Sequence, residues 1–179
     1  MRLREICIVA ATLIVVGSGP SRAIDENFAN RRALIANTCP YVELSDFSFQ
    51  NRFDGRSSTR FEQNLSWKNI GAQPIIAFEV VILKYDPFNQ RQIGTRWVIT
   101  GHDSANWAPL GPGDHGSDGT RGLGEEEVLT AIAYVRAARL ADGTVWIVDD
   151  RHLLDELKKL VPEFKEFGDV KPDPRKKQE

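Results

Sequence analysis

A chain of 179 residues, 41% hydrophobic and 27% charged, is long enough for one domain with a core and too apolar to stay unfolded. Lys and Arg number 23 against 25 Asp and Glu, a formal net charge of −2, so no summed basic field exists to hold nucleic acid or an anionic membrane.

Arg2 and Arg4 precede the 11-residue apolar run Ile6–Val16, which leads through Gly17-Ser18-Gly19-Pro20 to Ser21-Arg22-Ala23. This order of charged, apolar and small-x-small segments predicts a cleavable signal peptide over residues 1–23, since a membrane-spanning helix needs roughly 17 apolar residues or more. The exported chain would keep 20 basic and 24 acidic residues, work in the periplasm or outside the cell, and have no stable membrane insertion. Cys7 falls inside the signal, leaving Cys39 with no intrachain disulfide partner. No His, Lys or Arg close in sequence would depress the pKa of Cys39, and its expected fate is burial beside Pro40 as a small hydrophobe.

Residues 24–40 read as an N-terminal arm or short helix, from the loosely helical spacing of Phe28, Arg32, Ala33 and Ala36. A β-sandwich domain is expected over 41–149. Tyr41–Arg52 alternates irregularly but in strand fashion, and Asp54-Gly55-Arg56-Ser57-Ser58 is a turn. Phe61, Leu65 and Trp67 then share one parity against Glu62, Asn64, Ser66 and Lys68. After the turn Asn69–Pro74, the run Ile75–Tyr85 is apolar at nearly every position and β-branched, as in a central strand covered on both faces. Asp86-Pro87-Phe88-Asn89 turns the chain into Gln92–Thr100, with Ile93, Trp97 and Ile99 expected on one side.

Seven Gly and two Pro in the 24 positions from Gly101 to Gly124 predict a long loop without a regular element. Val128–Leu140 reads as a strand returning through Val145–Val148 across an Asp142-Gly143 turn of type I′, with a helix over 128–140 as the alternative. Asp149-Asp150 caps a C-terminal amphipathic helical segment, 150–167. Its Leu153, Leu157, Leu160, Phe164 and Phe167 recur at spacings of 4, 3, 4 and 3, with a kink or restart at Pro162 and an Asp155–Lys159 ion pair. Residues 168–179, polar and basic, are expected to form a disordered tail.

Four short motifs occur in order: Asn69-Ile70-Gly71 with Pro74-Ile75, Tyr85-Asp86, Leu110-Gly111-Pro112-Gly113, and Asp142-Gly143-Thr144-Val145-Trp146. Over roughly residues 60–150 they resemble the small bacterial exported domains of unknown function with an immunoglobulin-like antiparallel β-sandwich, the FxLYD-type group. The resemblance implies about seven strands and brings no catalytic residue. The chain departs from that group in its Gly-rich stretch 111–124 and in the amphipathic segment after Val148.

For chemistry, His102-Asp103 and Asp114-His115 with Asp118 offer imidazole and carboxylate groups, but among glycines and without a cysteine, so no metal site is expected. Asn64-Leu65-Ser66 is a glycosylation sequon with meaning only in a eukaryotic secretory pathway. No serine lies in a G-x-S-x-G turn, and Cys39 lacks a thiol-protease setting. Neither a catalytic residue nor a cofactor is predicted. Trp97, His102 and Trp107 are the ligand-binding candidates, because exposed rings such as the two tryptophans stack on sugar faces. The expected function is a non-enzymatic exported binding or assembly module with an unknown protein or cell-envelope partner. The alternative is a small carbohydrate- or metal-binding protein using the 97–118 region.

Overall fold

The computed structural model describes residues 31–53, 59–100, 108–123 and 128–171, so the expected signal peptide lies outside the described residues. In chain order the elements are β1 (Arg32–Ala36), β2 (Val42–Phe53), β3 (Thr59–Asn69), β4 (Ile75–Tyr85), β5 (Arg91–Thr100), β6 (His115–Leu123), β7 (Thr130–Leu140), β8 (Val145–Ile147) and α1 (Asp150–Leu160). The chain is mainly β, in two sheets. One has the order β1-β7-β4-β5 with β8 also on β7, and the other has the order β2-β3-β6. β1 runs parallel to β7 along Thr130–Tyr134, while β8 takes the same edge of β7 farther on, opposite Ala137–Arg139.

β4 explains the layering. Its alternate residues Phe78, Val80 and Ile82 face the three-stranded sheet and bury with Val42, Leu44, Phe47, Leu65 and Trp67. The opposite set, Val81, Leu83 and Tyr85, joins Ile132 and Tyr134 of β7 in a second core on the outer side. A strand apolar on both parities needs a layer on each face, and the second layer is supplied by α1 and the chain that follows it.

The irregular alternation of β2 has a structural cause. A bulge between Leu44 and Asp46 places Ser45 as an extra residue, so the buried set switches parity from Val42 and Leu44 to Phe47. A second irregularity, between Ile82 and Lys84, undoes the expected alignment in β5. Trp97 and Ile99 turn toward the core, but Ile93 is 68% exposed. The Gly-rich stretch is not a featureless loop, because His115–Leu123 forms β6, an edge strand pairing antiparallel with β3. Gly116, Gly119 and Gly122 break any alternation, and backbone pairing with β3 is its main attachment. At Gly116 a Cβ would lie 2.9 Å from Trp67 Nε1, so the indole occupies the space a side chain would need.

The β7–β8 hairpin forms as expected, and the helical alternative for 128–140 falls. Its turn differs: the Gly143 amide donates to Leu140 O at 3.1 Å, the Leu140 amide donates to Thr144 O at 2.9 Å, and Gly143 alone of the pair has positive φ, at 90°. That is a three-residue loop ending in a left-handed glycine, the next commonest hairpin solution after the two-residue turn. The β4–β5 hairpin uses the same device with Asn89 at φ 62°, fastened by Asp86 Oδ1, which accepts from Phe88 N at 2.8 Å and Gln90 N at 2.9 Å.

Both ends of the domain differ from expectation. Residues 32–36 are a strand, not an arm or helix, because the parallel edge of β7 satisfies their backbone and buries Ala36. At the other end the helix stops at Leu160, where Pro162 lacks an amide to continue it. Asp149 caps it by accepting from Arg151 N at 2.7 Å and His152 N at 3.3 Å, bonds that hold its carboxyl below the ordinary range. Ionic contacts along it are at i,i+3, Asp155 with Lys158 and Glu156 with Lys159, in place of the expected Asp155–Lys159 pair.

Residues 161–171 then run as a strap. Val161, Phe164, Phe167 and Val170 are all buried against the outer core. Tyr85 donates its hydroxyl to Phe167 O at 3.0 Å, and Tyr134 donates to Val170 O. Arg32 pairs with Glu163 and donates to Leu160 O at 3.3 Å. The expected disordered tail therefore begins too early, since residues 168–171 are placed and Val170 is 6% exposed; residues 172–179 lie outside the described residues.

Candidate interaction surface

Of the three sequence candidates, Trp97 is half-buried and packs against the core between the sheets. His102 and Trp107 lie outside the described residues. His115 is exposed on β6, and among the described residues no three His, Cys, Asp or Glu side chains gather as a metal would require. Cys39 is free and buried, and burial pushes its thiol up, leaving little thiolate.

The short motifs meet in space as fasteners of the fold. Asn69, fully buried at the end of β3, donates through Nδ2 to Gln73 O and to Leu110 O, each at 2.9 Å, and accepts through Oδ1 from Gly71 N at 2.9 Å. Its backbone binds the same neighbours: Asn69 N donates to Asp114 O at 2.8 Å and Gly113 N donates to Asn69 O at 2.9 Å. Leu110 and Ile75 exchange two backbone bonds of 2.9 Å, and Ala141 N donates to Pro74 O at 2.9 Å. Residues 69–75, 110–114 and 141 thus close one end of the two sheets. Gly113, at φ 83°, follows Pro112 in that turn, a conformation glycine adopts without strain.

The outer face of the three-stranded sheet is polar. Cross-strand rows read Glu43–Lys68–His115, then Asp46–Ser66–Ser117, then Ser48–Asn64–Gly119. An open depression of about 580 Å³ lies over the first two rows. The exposed side chains of Glu43, Ser45, Lys68, His115 and Ser117 line it together with half-buried Ser66, and buried Trp67 also lines it, its Nε1 without a hydrogen-bond partner.

The outer face of the five-stranded sheet divides in two. α1 and the strap cover Val81, Leu83, Tyr85, Ile132 and Tyr134, and the cover ends where Lys171 and Arg136 both approach Asp150, at 3.9 and 2.9 Å. Beyond that line lie the rows Val98–Glu79–Ala137–Ile147 and Thr100–Ala77–Arg139–Val145, over which no element of the described residues packs. Val98, Val145 and Ile147 are 46%, 48% and 59% exposed, and Ile76 beside them is 39% exposed. Arg96 holds Glu79 through bonds of 2.5 and 2.8 Å. None of these residues was a sequence candidate. The only available signal was the outward parity of Ala137, Arg139, Val145 and Ile147, which alternation alone cannot distinguish from a covered face.

No family model and no curated protein matches the chain. Among solved structures it is similar to a Bordetella pertussis protein provisionally called ApaA, with 14% identity, a TM-score of 0.39, and coverage of 61% of this chain and 88% of that one. It is also similar to a hypothetical protein of Peptoclostridium difficile 630, with 13% identity, a TM-score of 0.43, and coverage of 70% and 92% respectively. Among the described residues no helix is long and apolar enough to cross a membrane.

Proposed function

We propose that the protein is an exported, non-enzymatic binding or assembly module of the periplasm or extracellular space, built as an immunoglobulin-like β-sandwich of the FxLYD type. The observation that carries this reading is the uncovered half of the five-stranded sheet. Contiguous exposed aliphatic side chains on a rigid sheet face are characteristic of interaction surfaces. The reading of the N-terminus as a signal peptide places that surface outside the cytoplasm. The four short motifs, for their part, fasten loops at one end of the two sheets.

Native mass measurement on protein released from its source cells by osmotic shock tests the proposal. The expected result is a chain beginning at Ile24 in a complex heavier than the chain alone. A chain retaining Cys7, or one that runs free at its natural concentration, contradicts it.

A further inference from the structure

We infer that the depression on the outer face of the three-stranded sheet, over the rows Glu43–Lys68–His115 and Asp46–Ser66–Ser117, is a binding site for an acidic sugar. This goes beyond the binding-module reading and concerns the other sheet. Two observations carry it. Glu43 and Lys68 are direct cross-strand neighbours of opposite charge, an arrangement that ordinarily pairs. Among the described residues they make no ion pair, and the side chains of Ser45, Ser66, His115 and Ser117 around them make no hydrogen bond. The second observation is Trp67, 2% exposed, which lines the same depression and whose Nε1 has no hydrogen-bond partner. Its indole lies against Gly116 of β6, where a Cβ would be 2.9 Å from Nε1, and among the described residues β6 is the edge of its sheet. A buried N–H left unpaired costs free energy until an acceptor reaches it. One water would answer the indole alone, but it would not account for a carboxylate and an ammonium left unpaired on adjacent strands.

The donors and acceptors select the ligand. Lys68, His115 and Trp67 Nε1 supply donors suited to an oxyanion, the serine hydroxyls donate or accept, and the Glu43 carboxylate only accepts. A phosphate dianion would set a double negative charge beside Glu43 and give that carboxylate nothing to accept. A zwitterionic amino acid would serve Glu43 and Lys68, but Glu43 and His115 stand on the strands either side of β3, about 10 Å apart in the pairing direction, too far for it to span. A neutral sugar would rely on an exposed aromatic face. Here Trp67 is buried, and no other Trp, Tyr or Phe lines the depression. A sugar ring bearing one carboxylate meets the whole set. Its carboxylate is held between Lys68 and His115, its hydroxyls donate to Glu43 and the serines, and one of its oxygens accepts from Trp67 Nε1. The depression, about 580 Å³, is of the size that small-molecule sites have. A free sugar acid and the end of an acidic polysaccharide share this chemistry.

The test titrates D-glucuronate into the isotopically labelled full chain and follows the Trp67 indole N–H and the His115 ring by NMR, with glucose, glutamate and inorganic phosphate as comparison ligands. The expected result is a saturable shift of both signals at millimolar glucuronate, with each comparison ligand about ten-fold weaker or more. Lys68→Gln should weaken glucuronate binding about ten-fold or more, the loss that follows removal of a charge-assisted hydrogen bond. That variant should melt with the parent chain, since Lys68 is exposed. Tighter binding of a uronic-acid tetramer assigns the ligand to a polymer, and equal binding assigns it to the free acid, with the inference upheld in either case. A shift at His115 that leaves the Trp67 indole unmoved is the response of solvated surface and overturns the inference. So does an equal response to glucose, glutamate or phosphate, binding indifferent to Lys68→Gln, or no shift at all. None of these outcomes touches the open half of the five-stranded sheet, so the binding-module reading is tested apart from this one.

Discussion

Across β2, β3 and β6 the outward rows are Glu43–Lys68–His115 and Asp46–Ser66–Ser117, whereas the outward rows of β4 and β7 under the strap are Val81–Tyr134 and Leu83–Ile132. Two sheets packed face to face need only one apolar face each. The three-stranded sheet obeys this economy and its polar face meets water. The five-stranded sheet does not, and an apolar outer face obliges the chain to spend α1 and the strap on a third layer. That layer stops at Asp150, and among the described residues none packs over the rows beyond it, where Val98, Val145 and Ile147 are exposed.

The largest expected effect comes from removing the cover. A chain ending at Leu160 loses Val161, Phe164, Phe167 and Val170 from the outer core, and its urea unfolding free energy should fall by on the order of 5 kcal/mol or more. Such a loss exhausts the stability of an ordinary domain. A truncated chain with an unchanged midpoint would erase the distinction between the two sheets.

A single substitution sharpens the point. Phe164→Ala removes a ring whose centroid lies 4.9 Å from that of Tyr85, edge to face, and should cost about 3–4 kcal/mol in the same measurement.

The tyrosines that fasten the strap give a pH test. Burial pushes the Tyr85 phenol up to about 12, against a small opposing influence of Arg91, and raises that of Tyr134 also. An unfolded chain ionises its tyrosines near pH 10, so the folded state holds these protons longer. The stability this confers is fully present below pH 10 and is lost as the pH rises through about 12. For Tyr85 that amounts to roughly 2–3 kcal/mol. Unfolding midpoints followed from pH 8 to 12 should fall across this window, and Tyr85→Phe should flatten part of the fall.

The smallest effects belong to the uncovered surfaces. Ser66→Ala on the polar face and Ile147→Ser on the open half should each change stability by less than about 0.5 kcal/mol. Of the two, only Ile147→Ser should weaken association with a partner, as judged by native mass.

Much of this arrangement was legible residue by residue, and the failures have physical reasons. Ile75–Tyr85 announced a strand covered on both faces because both of its parities are apolar, and Asp142-Gly143 announced a hairpin. β6 was hidden because Gly116, Gly119 and Gly122 leave backbone pairing as its main attachment, with Trp67 filling the space over Gly116. β1 was hidden because its fit depends on a parallel edge of β7 almost a hundred residues away. The stripe Leu153 to Phe167 was real, yet a spacing near three fits both a helix and the extended strap, and only Pro162 marked where one gives way to the other. The candidate surface was the least legible part. Whether the outward residues of β7 and β8 meet water depends on where the strap ends, which no local pattern records.

The comparison between the covered and open halves of the five-stranded sheet is tested most directly by methyl NMR with a soluble paramagnetic probe. The methyls of Val98, Val145 and Ile147 should broaden strongly at probe concentrations that leave those of Val81, Leu83, Ile132, Leu153 and Leu157 sharp. Equal broadening of the two sets would mean the strap does not cover the sheet, and equal protection would mean that the half described as open already has an occupant within the chain.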